Sequence, residues 1–156
     1  MEENEAPDPR AALADWAQAA GCRLMILFGS AAGEPERAAR ARDLDLALWF
    51  RPLPPPDRRL AIIGELQDLV GPRQVDVVFL TPDTDPVLRF EVFRSGRPLY
   101  ESRSGLFVEE VVRALALYED ALPFRRALEA SLAKESSPSS ESAPPRGDRR
   151  TRGSSP

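Results

Sequence analysis

Apolar and polar positions change period several times along the chain, and each change marks an element. After Pro9, Leu13, Trp16, Ala17 and Ala20 recur at helical spacing, with Asp8 as N-cap and Gly21 as stop. Residues 23–28 are a short apolar run, read as a buried strand. Residues 30–41 are rich in Ala, Glu and Arg and favour helix, with an irregular start at Gly33 and Pro35. Residues 43–50 alternate into a second strand, and the prolines within 51–56 make a stiff loop that cannot pair in a sheet. Asp57 is expected to cap a third helix in which Leu60, Ile63, Leu66, Gln67 and Val70 share one face, stopped by Gly71-Pro72. Residues 74–80 form the third strand. Residues 85–95 read as an amphipathic helix with Val87, Leu88, Val92 and Phe93 inward, followed by a short extended piece at 98–100. The helical pattern of 105–132 is interrupted by Pro123, predicting one helix ending near Leu122 and a second running to about Ala133.

This order of elements predicts an α/β (α+β) domain: a small sheet, flanking helices and a helical C-terminal part. Residues 1–8 are expected to be a frayed N-terminus, 9–133 the folded domain, and 134–156, made of Ser, Pro, Gly and Arg, a disordered tail. A chain of 156 residues suffices for one core. Its formal net charge of -4 gives no global argument for nucleic acid or a membrane surface as partner. No apolar run approaches the ~20 residues of a membrane span and the N-terminus is acidic, so a cytoplasmic protein is expected. The lone Cys22 allows no internal disulfide, which suits a reducing compartment.

The chain has no histidine. That removes Ser-His-Asp and Cys-His catalysis, imidazole acid/base chemistry and the common zinc sites. Enzymatic chemistry here has carboxylates, hydroxyls, Lys, Arg and an oxygen-preferring metal to work with.

Asp43 and Asp45 are two residues apart in an extended segment, so their side chains leave one face with Cα atoms roughly 6.5 Å apart. That suits a grip on metal ions about 3.5–4 Å apart; the plainer reading is the polar start of a strand. Asp76 interrupts the apolar run 75–80, where a carboxylate is costly unless paired or metal-bound. Its plainer reading is a solvent-facing position, with Val75 and Val77 toward the core. Gly29-Ser30 follows the first strand directly. Gly allows close backbone approach, Ser can donate to a phosphate oxygen, and a helix starting there would add its dipole; the alternative is a generic turn. Trp49, Pro52 and residues 54–56 are either a contact surface or core and loop. Arg146, Arg149, Arg150 and Arg152 read as a solvated end rather than a nucleic-acid contact.

Phe28-Gly29-Ser30, then Asp43-Leu44-Asp45-Leu46-Ala47, then Val75-Asp76-Val77-Val78 together resemble the minimal nucleotidyltransferases (MNT) of the polymerase β superfamily. Residues 86–101 resemble the family's continuation, a helix, a Gly and a Leu-Tyr-Glu. The likeness spans roughly residues 10–130. Residues 31–42 form an insert slightly longer than the family's usual spacing, and Arg42 stands where a Ser often precedes the first Asp.

The resemblance implies a small mixed sheet of the nucleotidyltransferase type, with ATP as co-substrate and Mg2+ as cofactor. Asp43, Asp45 and Asp76 would be the catalytic metal ligands, and Gly29 and Ser30 the phosphate-binding pair. AMP would pass to a hydroxyl. Small MNT proteins resemble the antitoxin of HEPN/MNT toxin–antitoxin modules, which implies AMPylation of a tyrosine of a HEPN ribonuclease toxin within a hetero-oligomer. The alternatives are a small-molecule (antibiotic-type) acceptor, or a non-catalytic antitoxin that acts by occlusion.

Overall fold

The computed structural model describes residues 8–136. Residues 1–7 of the expected frayed end and most of the expected tail therefore lie outside the described residues, while Asp8 is described as the cap of α1. Elements follow in the order α1 (Pro9–Ala19), β1 (Leu24–Phe28), a 3-10 turn (Gly29–Ala32), α2 (Pro35–Arg40), β2 (Asp43–Trp49), α3 (Pro56–Val70), β3 (Gln74–Leu80), α4 (Pro86–Ser95), β4 (Arg97–Glu101) and α5 (Leu106–Glu135).

The sheet has the order β3-β2-β1-β4. β2 pairs parallel with β3 through the α3 crossover, whereas β1 runs antiparallel to both β2 and β4. The sheet is therefore mixed, as expected. The extended piece at 98–100 becomes its fourth strand, and Pro98 is tolerated because β4 is an edge.

Both faces carry apolar side chains, which explains why the inner strands read as continuous runs rather than clean alternation. On one face Met25, Leu27, Leu44, Leu46, Leu48 and Val75 pack with Leu13 and Ala17 of α1 and with Ile62 and Leu66 of α3. On the other, Leu24, Ile26, Ala47 and Leu80 meet Val92 and Phe93 of α4 and Leu106 and Ala114 of α5. Cys22 is buried, its thiol donating to the Leu24 carbonyl at 2.9 Å. Burial pushes that thiol's pKa up to about 12.

Several local expectations need correction. Asp57 is not the cap of α3: Pro55 holds that position, Pro56 opens the helix, and Asp57 lies in the first turn. Proline's fixed φ suits that first position. The buried line of α3 is Ile62, Leu66 and Val70, with Leu60 72% exposed, so the packed stripe is rotated from the expected one. On α4 only Val92 and Phe93 are fully buried, and Leu88 is 38% exposed because the helix meets the sheet at its C-terminal half. Asp85 does cap α4, accepting from the Val87 and Leu88 N–H groups at 2.9 and 3.2 Å. The break expected at Pro123 is absent: α5 runs through it. A proline forfeits one N–H in the ladder, and the helix-favouring residues on both sides continue the helix past it.

By compactness the chain divides into a unit ending at Leu122 and one beginning at Pro123. The first holds the sheet and both apolar clusters. In the second, Phe124, Leu128 and Leu132 are exposed, and Arg125 pairs with Glu129 at 4.0 Å.

Gly96 sits where α4 turns into β4, and a Cβ there would collide with the Val92 carbonyl and the Ile26 methyl. Its φ of -78° is ordinary, so the constraint is purely one of space. Gly96→Ala is expected to lower unfolding free energy by about 1–3 kcal/mol, read as a lower urea midpoint at constant slope.

Candidate active site

The site is assembled by strand register. β1 and β2 align Phe28 with Asp45, and β2 and β3 align Asp45 with Asp76. Asp43, two residues earlier on β2, pairs with Gln74. Asp43, Asp45 and Asp76 thus share one sheet face at the end where β1 stops, and Gly29-Ser30 leaves the sheet beside them. Parallel pairing of β2 with β3 is what brings Asp76 level with Asp45.

Gly29 has φ +69°, and a Cβ there would run into the Asp45 carboxylate. The position therefore requires glycine twice over, for its backbone conformation and for close approach. The Ser30 hydroxyl makes no hydrogen bond among the described residues, leaving it available to a ligand. The expected helix dipole behind Gly-Ser is missing. A four-residue 3-10 turn follows instead, and the chain breaks at Gly33 before the six-residue α2.

The burial argument for Asp76 also needs correction. β3 is an edge strand, and Asp76 is exposed, while Val75 before it is buried on the opposite face. Its carboxylate is hydrated, so nothing forces it to be paired. Its significance rests on being level with Asp45.

Asp45 is half-buried between exposed Asp43 and Asp76. Burial, then the charges of Asp76 and Asp43, raise its pKa above the usual carboxylate range. Among the described residues no three acidic or sulfur/imidazole side chains already stand in a metal-holding arrangement. The three side chains offer oxygen donors only and repel one another, with the Asp45 carboxyl held up in pKa by burial and by the other two.

A second cleft, of about 920 Å³, opens at the other end of the sheet, where Trp49 and Leu80 end β2 and β3. It contains Arg89, Glu110 and Arg113, none of which the sequence reading singled out. Glu110 is only 4% exposed and pairs with Arg113 at 2.9 Å. Arg89 donates to the Thr81 carbonyl; burial lowers its pKa, and Glu110 opposes that shift. The available signal was a Glu on the line Leu106, Glu110, Ala114, a carboxylate in a buried helical stripe. Trp49 packs on the core with the Arg23 guanidinium 4.9 Å from its ring centre, while Pro52 and Pro55 are exposed, so the loop and the Trp have different roles.

The sequence profile of the family described as "Polymerase beta, Nucleotidyltransferase" matches residues 16–104. No curated protein matches the chain significantly. Among solved structures, a toxin–antitoxin with AMP-PNP superposes with a TM-score of 0.67 at 18% identity, covering 80% of this chain and 98% of that one. The MNT antitoxin in complex with a tri-AMPylated HEPN toxin of Shewanella oneidensis gives 0.64 at 17%, covering 80% and 96%. The toxin–antitoxin MntA–HepT gives 0.63 at 17%, covering 80% and 97%. At these identities the likeness is one of fold.

Two outcomes follow from the geometry. Asp45 binds its proton more tightly in the folded chain than in the unfolded one, so its charged form opposes folding. Stability is lost as pH rises from the ordinary carboxylate range through the titration of folded Asp45. In EDTA at neutral pH, Asp45→Asn is expected to raise Tm, a gain that shrinks toward acid pH in a thermal melt series. Gly29→Ala is expected to lower Tm under all of these conditions, because both its φ and its space are lost.

Proposed function

The chain belongs to the polymerase β nucleotidyltransferase family, and on that footing we propose that it transfers AMP from ATP, with magnesium, to a hydroxyl of a partner protein. The observation carrying this is the convergence of Gly29 with three carboxylates on adjoining strands. Asp43, Asp45 and Asp76 would hold the magnesium, which would neutralise charge on the triphosphate and the departing pyrophosphate. The Gly29-Ser30 turn grips the β- and γ-phosphates through its free hydroxyl and closely approaching backbone. Asp76, exposed to solvent like Asp43, favours deprotonation of the incoming hydroxyl. The acceptor oxygen bonds to the α-phosphorus as the bond to the bridging oxygen breaks, and pyrophosphate leaves. Such chemistry needs positioning and charge, not an imidazole.

The proposed acceptor is a tyrosine of a HEPN-type toxin, in a cytoplasmic hetero-oligomer in which this chain is the antitoxin. The fold likeness to an MNT antitoxin bound to an AMPylated HEPN toxin supports this. So does α5, where Val108, Val112 and Leu115, spaced along one helical face, are 65%, 64% and 45% exposed. A helical partner can cover such a stripe.

The test is incubation with labelled ATP, magnesium and a purified HEPN-type toxin, with mass spectrometry of the product. A mass gain of one or more AMP groups on a tyrosine is expected. Asp45→Asn should reduce transfer by at least about 10²-fold without loss of fold, and undiminished transfer would rule out the metal-site assignment. Ser30→Ala should raise the KM for ATP roughly tenfold. Toxin neutralisation that survives Asp45→Asn would favour occlusion over catalysis.

A further inference from the structure

Three arginines surround a cleft of about 330 Å³ on the sheet face opposite the carboxylates. Arg10 comes from the first turn of α1, Arg73 directly precedes β3, and Arg97 opens β4. Chain segments far apart in sequence and from both edges of the sheet therefore line one cleft with arginines. Among the described residues none of the three forms an ion pair. The one carboxylate lining the cleft, Asp8, already accepts the Arg10 backbone N–H as the cap of α1.

Like charges gathered around a concave surface repel one another, and an anion between them relieves that repulsion. The guanidinium fork matches phosphate oxygens two at a time. The remaining wall is largely apolar, with Leu27 and Leu44 of the central strands as its floor and Ala31 of the 3-10 turn at its side. The volume lies at the low end for a small-molecule site. A bare inorganic anion uses the arginines and leaves the apolar floor idle, whereas a phosphate ester with a small organic body uses both.

We infer that this cleft binds a small phosphate ester of nucleoside monophosphate size, at a site separate from the triphosphate position beside Asp45. The two sites lie back to back. Leu44 stands between Asp43 and Asp45 on β2 with its side chain on the other face, and Ala31 follows Ser30 directly. A ligand in the arginine cleft therefore touches the rear of the Gly29-Ser30 turn. The inference does not depend on the transferase reaction.

The experiment is calorimetric titration of AMP into the full chain carrying Asp45→Asn, in EDTA, which silences the carboxylate site. Binding with Kd below about 1 mM is expected, weakening with added salt. Arg73→Gln with Arg97→Gln should weaken it at least about tenfold, with the melting temperature recorded to confirm folding. Arg73→Lys with Arg97→Lys, which keeps the charge and removes the fork, should fall between the two. Inorganic phosphate should bind more weakly than AMP; equal affinity would overturn the assignment of an organic body. Absence of AMP binding at millimolar concentration, or AMP binding unaffected by both arginine pairs, would overturn the site itself.

Discussion

Asp45 and Gly29 can occupy one corner of the sheet only because nothing projects from the glycine's Cα toward the carboxylate. That contact depends on the pairing of Phe28 with Asp45, which the buried run Leu24, Met25, Ile26 and Leu27 sets against Leu46, Ala47 and Leu48. A slip of one residue would turn every carboxylate of β2 to the opposite face and expose Leu44 and Leu46, so burial of the core and assembly of the site are one constraint. The third carboxylate depends on a second register. Gln67 of α3 fixes it: its amide nitrogen donates to the Arg73 carbonyl at 2.7 Å and its oxygen accepts from the Val75 N–H at 3.0 Å. The crossover helix is thus tied to β3 one residue before Asp76.

Much of this was legible in the sequence because strands here are short apolar runs bounded by Gly and Pro. All three strands expected from such runs formed, within a residue of their expected ends. The Asp-x-Asp segment sat on the second strand and Gly-Ser directly followed the first, so their juxtaposition followed from antiparallel pairing. What escaped was whatever depended on which surface a partner element covers. Asp76 looked expensive because its neighbours are apolar, but an edge strand leaves it hydrated. Leu60 fitted a helical stripe, yet α3 meets the sheet along Ile62, Leu66 and Val70. Pro123 was expected to break a helix that runs on through it. Glu110 was not placed inside because nothing in α5 alone reveals that Arg89 of α4 comes near it.

Charge is distributed with more purpose than a net value of -4 suggests. Carboxylates of β2 and β3 stand on one face at the end of β1, and arginines from α1, β4 and the residue before β3 line a cleft on the reverse face. At the far end of the sheet, buried Glu110 is held between cations from two helices. A buried ion of this kind adds little stability over an apolar residue. The Glu65 carboxylate works at the surface, taking the Trp16 indole at 2.9 Å and Arg58 at 2.5 Å to link α1 to α3.

Cys22 gives the molecule a practical property. Its thiol is enclosed, bonded to the Leu24 carbonyl, and held so far toward the protonated form that almost no thiolate exists near neutral pH. Since it is the sole cysteine, the folded chain behaves toward alkylating reagents and mild oxidants as though it contained none. A cysteine introduced anywhere on the surface would become a unique handle for a dye or spin label, with no need to alter the native residue. Conversely, alkylation of the unmodified protein would report opening of the core at β1, the strand against which the rest of the sheet is registered.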